Sequence, residues 1–230
     1  MTIESLIPRR FLFRYSIPCL YRDPLWTDAG PDLGEEHVVP NFGALDDART
    51  FAQLRLAWSE QGLAFSLHVD GKRQPPWCRD ARPEESDGLR LWIDTRDTHN
   101  IHRATRFCHQ FMFMPSGGGR RLDDAVADQL MINRAKDNAK PIRAGVLSAR
   151  REKRVDGYLL EGLVPAGAMT GFDPAEHPRL GFTYAVVDRE LGEQTLTCSA
   201  ELPYREDPSL WATLELVRST KAKGRKSRSS

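Results

Sequence analysis

SDGLRLWIDTRDTHNIHRATRFCHQFMFMP, residues 86–115, contains two runs of strand-like alternation joined by a charged connection. In the first run Leu89, Leu91 and Ile93 alternate with Arg90, Trp92 and Asp94, the period of two that marks a half-buried strand. One face is aliphatic and the other carries Arg, Trp and Asp. In the second run Phe107, His109, Phe111 and Phe113 fall on one face, and Cys108, Gln110, Met112 and Met114 on the other. That second face is less polar than a solvated one requires. Either both sides of this sheet are covered, or the Trp92 side is a groove that receives a ligand.

The same alternation recurs on both sides of this stretch. Residues 54–58 and 63–69 flank a short polar connection that ends in Gly62, a hairpin signal that turns Leu63, Phe65, Leu67 and Val69 toward the core. Residues 145–150 and 157–164 form a second such pair, and a helical turn follows over 166–170. Residues 11–15, 180–187, 195–202 and 211–217 complete about ten short strands. This predicts an all-β protein, an antiparallel two-sheet sandwich of jelly-roll or immunoglobulin-like type with short helical turns. The connection 18–47 is rich in Pro, Gly and acidic residues and reads as a loop wrapping the domain edge, anchored by Leu25 and Trp26. Leu122, Val126, Leu130 and Ile132 place a short helical stretch within 120–140. Residues 1–50 are thus an N-terminal strand and wrapping segment, 51–218 the sandwich, and 219–230 a basic tail expected to be disordered.

Composition excludes several classes. Of the 230 residues 28% are charged and 40% apolar, and the formal net charge is +1, so no overall bias toward nucleic acid or anionic membrane exists. No window approaches the roughly 20 apolar residues of a membrane span. The N-terminal apolar residues are interrupted by Pro8, Arg9, Arg10 and Arg14 before a secretory core forms, and Cys19, Cys78, Cys108 and Cys198 lack metal-ribbon spacing. A cytoplasmic protein with free thiols is the resulting expectation.

The order of signals from residue 53 to 217 resembles a family 9 carbohydrate-binding module, and more widely the DOMON-like sandwich domains. The residues that carry this are the strand ending in Trp58, the strand ending in Val69, the Pro/Trp loop around Trp77, SDGLRLWIDTRD at 86–97, and YLLEGLVP at 158–165. The resemblance implies a non-catalytic β-sandwich that binds sugars through aromatic side chains and often sits beside an enzyme. By motif position Trp77 is the stacking platform it implies, with Trp92 a second from its outward register. Arg90, Asp94, Arg96 and His68 would then read hydroxyl groups. The opposing reading makes Trp92 the plug of a second layer and Trp77 the pin of its own loop.

Other chemistries find less support. Asp94, Asp97, His99, His102, Cys108 and His109 are metal-ligating types, but His109 shares its face with Phe107 and Phe111, where a core histidine is the commoner outcome. No cofactor is expected, although loop carboxylates such as Asp94 and Asp97 suit calcium. Cys108 and His109 are adjacent in a strand and so point to opposite faces, which rules out a dyad between them. Glu161 lacks the second carboxylate that glycoside hydrolysis needs. A protein or RNA contact through the basic tail is the alternative to a sugar or polyhydroxyl ligand.

Overall fold

The computed structural model describes residues 14–46, 48–79, 81–198 and 202–218. Eleven strands among these residues form one hydrogen-bonded sheet. They are β1 (Ser16–Tyr21), β2 (Ala52–Ser59), β3 (Gly62–Asp70), β4 (Gly88–Asp94), β5 (Cys108–Gly118), β6 (Asp124–Leu130), β7 (Ser148–Lys153), β8 (Gly157–Pro165), β9 (Arg179–Asp188), β10 (Gly192–Thr195) and β11 (Ala212–Val217). Their order is β6-β5-β4-β9-β11-β1-β2-β3-β8-β7, with β10 paired to β9.

The all-β expectation is met, with helical structure limited to short 3-10 turns. The expected division into two antiparallel sheets is not what the ladder describes. The path runs unbroken from β6 to β7 as a nearly closed sheet, and β1 lies parallel to both β11 and β2. The sheet rolls back on itself, so that Phe65 of β3 meets Phe113 of β5 edge-to-face at 4.6 Å. Gly162 of β8 lies between these two rings, where a Cβ would stand 2.4 Å from one and 2.6 Å from the other. Only glycine admits this approach.

The inward faces follow the alternation of the sequence. Leu89, Leu91 and Ile93 of β4 and Phe111 and Phe113 of β5 join Leu54, Leu56, Phe65 and Leu67 in the main core. His109 is buried on the same side, its ring parallel to Phe111. Leu25 is fully buried against Leu33, Ala57 and Ala64, with Trp26 packed beside them, so this segment lies on the outer face of β2 and β3 and not at a domain edge.

Other element readings differ. The first strand lies at Ser16–Tyr21 rather than over 11–15, of which residues 11–13 fall outside the described set. The helical stretch expected within 120–140 is strand β6, because pairing to β5 overrides a weak 3.6-residue pattern. The strand read over 195–202 ends at Thr195, and residues 199–201, like the basic tail 219–230, lie outside the described residues.

Candidate functional site

The outward face of β4 is partly covered. Trp92, only 1% exposed, packs in a second cluster with Cys108, Ile132, Cys198, Tyr204 and Trp211. Its indole meets Tyr204 edge-to-face at 5.5 Å, and the Trp211 indole N–H donates to the Tyr204 carbonyl at 2.7 Å. Trp92 is therefore no exposed stacking platform, which corrects that expectation: the loop carrying Tyr204 and Trp211 covers its ring.

The cover stops short of the β5–β6 edge and leaves a groove of about 500 Å³. Arg90 and Trp92 line it together with Gln110, Gln129, Asn133 and Arg205, and Met131 adds an exposed apolar side chain. Strand register explains the set. Trp92 pairs with Gln110, and Gln110 pairs on its far side with Leu130, so these residues form one row across three strands. Two buried donors in this lining have no partner among the described residues, the Trp92 Nε1 and the Arg90 Nη1. Buried polar groups of that kind are uncommon and call for an occupant or a water.

Arg90 itself is 3% exposed, and its Nη2 donates to the carbonyls of Pro83 at 2.5 Å and Ser86 at 2.6 Å. Burial, with Arg205 adding repulsion, pulls its pKa down to about 10. A guanidinium at that value is still charged at neutral pH. Its side-chain hydrogen bonds go to carbonyls, and Asp87 acts on its charge only at a distance.

Trp77 stands on the loop that leads into β4 and is half-buried. Its N–H donates to Asp87 Oδ2 at 2.9 Å and its carbonyl accepts from the Asp87 N–H at 2.8 Å. The Arg189 and Arg79 guanidinium groups lie 5.1 and 5.9 Å from its ring centre. Asp87 also accepts from the Arg189 N–H at 2.8 Å and from Lys72 Nζ at 3.2 Å, while Asp188 takes Lys72 at 2.5 Å. Burial pulls the Lys72 ammonium down, and its bond to Asp188 with the charges of Asp87 and Asp188 more than reverses this.

The remaining expected contacts are not gathered at this groove. Asp94 is buried and accepts the N–H groups of Arg96 at 3.0 Å and Thr98 at 2.7 Å, so its carboxylate is committed to the turn after β4. Arg96 donates to the Gly171 carbonyl at 2.7 Å and lies over the Phe107 ring at 4.5 Å. His68 sits on the outer side of β3, where burial and then Arg55 lower its pKa. Period-two reasoning gave each residue a side of its strand, but not the hydrogen bonds that consume it.

Two hydroxyl–imidazole–carboxylate groupings were not expected. His99 Nε2 lies 3.0 Å from both Asp97 Oδ1 and Thr213 Oγ1, and His102 Nδ1 lies 3.1 Å from both Asp207 Oδ2 and Ser209 Oγ. A nucleophile relay needs the two ring nitrogens to serve different partners. Here one nitrogen serves both, and each hydroxyl donates directly to its carboxylate. The groupings brace loops and do not activate a nucleophile. Among the described residues no three His, Cys, Asp or Glu side chains are placed to hold a metal ion, and the four cysteines are free thiols.

No protein-family model matches the sequence, and no curated protein does. Solved structures do share the fold. A family 9 carbohydrate-binding module from Caldicellulosiruptor kristjanssonii in complex with cellotriose superposes with a TM-score of 0.59 at 14% identity, over 91% of this chain and 97% of that one. The same organism's module in complex with glucose gives 0.59 at 14% identity, over 90% and 98%. A candidate carbohydrate-binding protein from Bacteroides uniformis gives 0.52 at 13% identity, over 89% and 100%. The chain has the fold of the family 9 carbohydrate-binding modules.

Proposed function

We propose that the protein is a non-catalytic carbohydrate-binding domain, with the groove over Trp92 as its site for a sugar or similar polyhydroxyl ligand. The observation that carries this is the pair of buried, unpartnered donors in the groove lining, Trp92 Nε1 and Arg90 Nη1. A hydroxyl oxygen accepts from both without needing a charge of its own. Gln110 adds an amide group, which donates and accepts as a sugar hydroxyl does, while the Gln129 oxygen already accepts from the Ile142 N–H and Asn133 already donates to Glu206. Trp92 acts in this reading through its indole N–H and not its ring face. Stacking falls to Trp77, which stands outside the groove lining on a loop that Asp87 holds against the start of β4, so a ligand reaching it must extend beyond the groove and displace Arg79 or Arg189 from its ring. The shared fold with modules solved in complex with cellotriose and glucose supports the same reading. In it the rolled sheet serves as a two-layered sandwich, β3 and β8 in one layer and β4, β5 and β9 in the other.

Calorimetric titration with glucose and cello-oligosaccharides tests the proposal. Trp92→Phe removes one N–H and keeps an apolar ring, so affinity should fall about tenfold, the effect of one lost hydrogen bond of about 1–1.5 kcal/mol. Gln110→Ala should act in the same direction. Equal affinity in the wild type, Trp92→Phe and Gln110→Ala would remove the groove from the account, and heat from none of these sugars would remove the sugars.

A further inference from the structure

The described residues contain a second groove, at the open seam of the rolled sheet, and we infer that it binds the anionic group of an acidic sugar, a carboxylate or a sulfate. It has a volume of about 600 Å³ and lies between the loop at residues 72–76 and the β7–β8 hairpin. A cleft of that size falls within the range of small-ligand sites, about 300–1,000 Å³.

Its lining is strongly cationic in a chain whose net charge is only +1. Arg73, Arg151, Lys153 and Arg154 surround it, against one lining carboxylate, Asp123. The placement follows from the fold. Arg151 and Lys153 are two apart in β7 and project to one side, and the tight hairpin brings Arg154 round beside them. Arg151 lies 3.8 Å from Asp123, and Arg154 lies 3.3 Å from Glu152. Arg73 and Lys153 have no ion pair among the described residues.

A separate feature of the lining also lacks a partner. Tyr158 is 2% exposed, and its hydroxyl makes no hydrogen bond among the described residues. Lys72, beside it, is bound by Asp87 and Asp188, with Glu190 4.0 Å away and accepting the backbone N–H groups of Arg73 and Gln74. The interior of this groove therefore carries a net negative charge, and the cations that meet a ligand's anion lie at its rim. Pro75, Pro76 and Val155 supply apolar surface but no exposed aromatic ring. That suits the C–H face of a pyranose better than nucleobases, which need aromatic platforms. The sugar part of this inference rests on the proposed carbohydrate binding, whereas the anion part stands on the charges alone.

The test titrates the full chain with oligogalacturonate, with a sulfated oligosaccharide, with cello-oligosaccharide of matched length, and with a single-stranded RNA oligomer. The expected result is that oligogalacturonate or the sulfated probe binds, that raised salt weakens it, and that an Arg73→Ala, Lys153→Ala double variant loses tenfold or more. The two acidic probes distinguish carboxylate from sulfate. The double variant, with its thermal melting unchanged, should bind cello-oligosaccharide as the wild type does. Binding of cello-oligosaccharide with none of either acidic probe overturns this inference and leaves the proposed function standing. Binding of an acidic probe without cello-oligosaccharide leaves this inference standing and removes the groove over Trp92 as a site for neutral sugars. Acidic binding indifferent to the double variant, or binding of RNA alone, also overturns it.

Discussion

The groove over Trp92 has a cation in its floor and a rim in which Arg205 is paired with Glu193; the groove beside Tyr158 has a floor in which buried carboxylates outnumber Lys72, and a cationic rim. Both are floored by a buried aromatic with an unpartnered polar tip, Trp92 in one and Tyr158 in the other, and both have a buried cation beside it. What differs is how that cation is held. Arg90 is hydrogen-bonded to two neutral carbonyls, with Asp87 acting on it only at a distance, while Lys72 is tied directly to two carboxylates. Buried charge is poorly screened by salt and rim charge is well screened. One groove is thus suited to neutral hydroxyls through fixed donors, and the other to anions through mobile side chains.

The largest effect should come from breaking the Lys72 pairing. Lys72→Ala leaves Asp87 and Asp188 buried together without a counter-ion, and removing one member of a buried ion group costs about 3–5 kcal/mol. Urea denaturation measures this, and a loss under about 1 kcal/mol would show that water reaches the cluster and that the two floors do not differ as described.

Acidification should come next, and it acts near the Trp92 groove. His109 lies on the strand that carries Gln110, and burial holds its pKa down from 6.5 to about 4. The folded state therefore binds fewer protons than the unfolded chain between those values. The His109 contribution to stability is complete above about pH 6.5, falls as pH drops toward 4, and at about 1.4 kcal/mol per pH unit amounts to roughly 3 kcal/mol. In His109→Phe the slope of stability against pH over that interval should flatten; an unchanged slope would assign the acid sensitivity to other groups.

Arg90→Met should cost about 1–3 kcal/mol of stability, because the Pro83 and Ser86 carbonyls lose their donor, and should weaken sugar binding with little dependence on salt. The contrast with Arg73→Ala, for which no stability change beyond about 0.5 kcal/mol is expected, sharpens the distinction between floor and rim. Trp77→Ala should weaken sugar affinity about tenfold, or about 1.4 kcal/mol. The smallest effect belongs to His68→Ala: on the outer side of β3, it should leave sugar affinity unaltered and stability within about 0.5 kcal/mol. A clear loss of binding in that variant would tie His68 back to the ligand.

The fold was legible where alternation was strong. Leu89, Leu91 and Ile93 point inward as their spacing requires, and the residue 54–69 hairpin forms with its inward face as read. β6 was missed because its polar, exposed sequence is held by pairing to β5, a long-range cause that no local pattern records. At the site the alternation assigned sides and withheld neighbours. Arg90 and Trp92 do line one groove, but nothing near them in the chain announces that Tyr204 and Trp211 return to cover the indole. Gln110 was within reach of inference, since it lies on the less polar face of its strand. Its place opposite Trp92 depends on the register across the 95–107 connection, which spacing does not fix. The cationic groove was hidden because its charges lie at 73 and at 151–154, two loops that meet only when the sheet rolls.

The parallel seat of β1 between β11 and β2 has a consequence for the order in which the chain is made. β2, β3, β8 and β7 join β6, β5, β4 and β9 through β1 and β11 alone in the hydrogen-bond path. β11 is the last strand in the described chain. Until residues 212–217 have left the ribosome, β1 and residues 179–182 of β9, beyond its pairing with β10, each present an unpaired edge, and the two half-sheets have no ladder between them. Open edges are templates for pairing with another chain. A nascent or truncated chain lacking β11 is thus the species from which to expect strand exchange between copies, whereas addition of the six residues of β11 joins both edges at once.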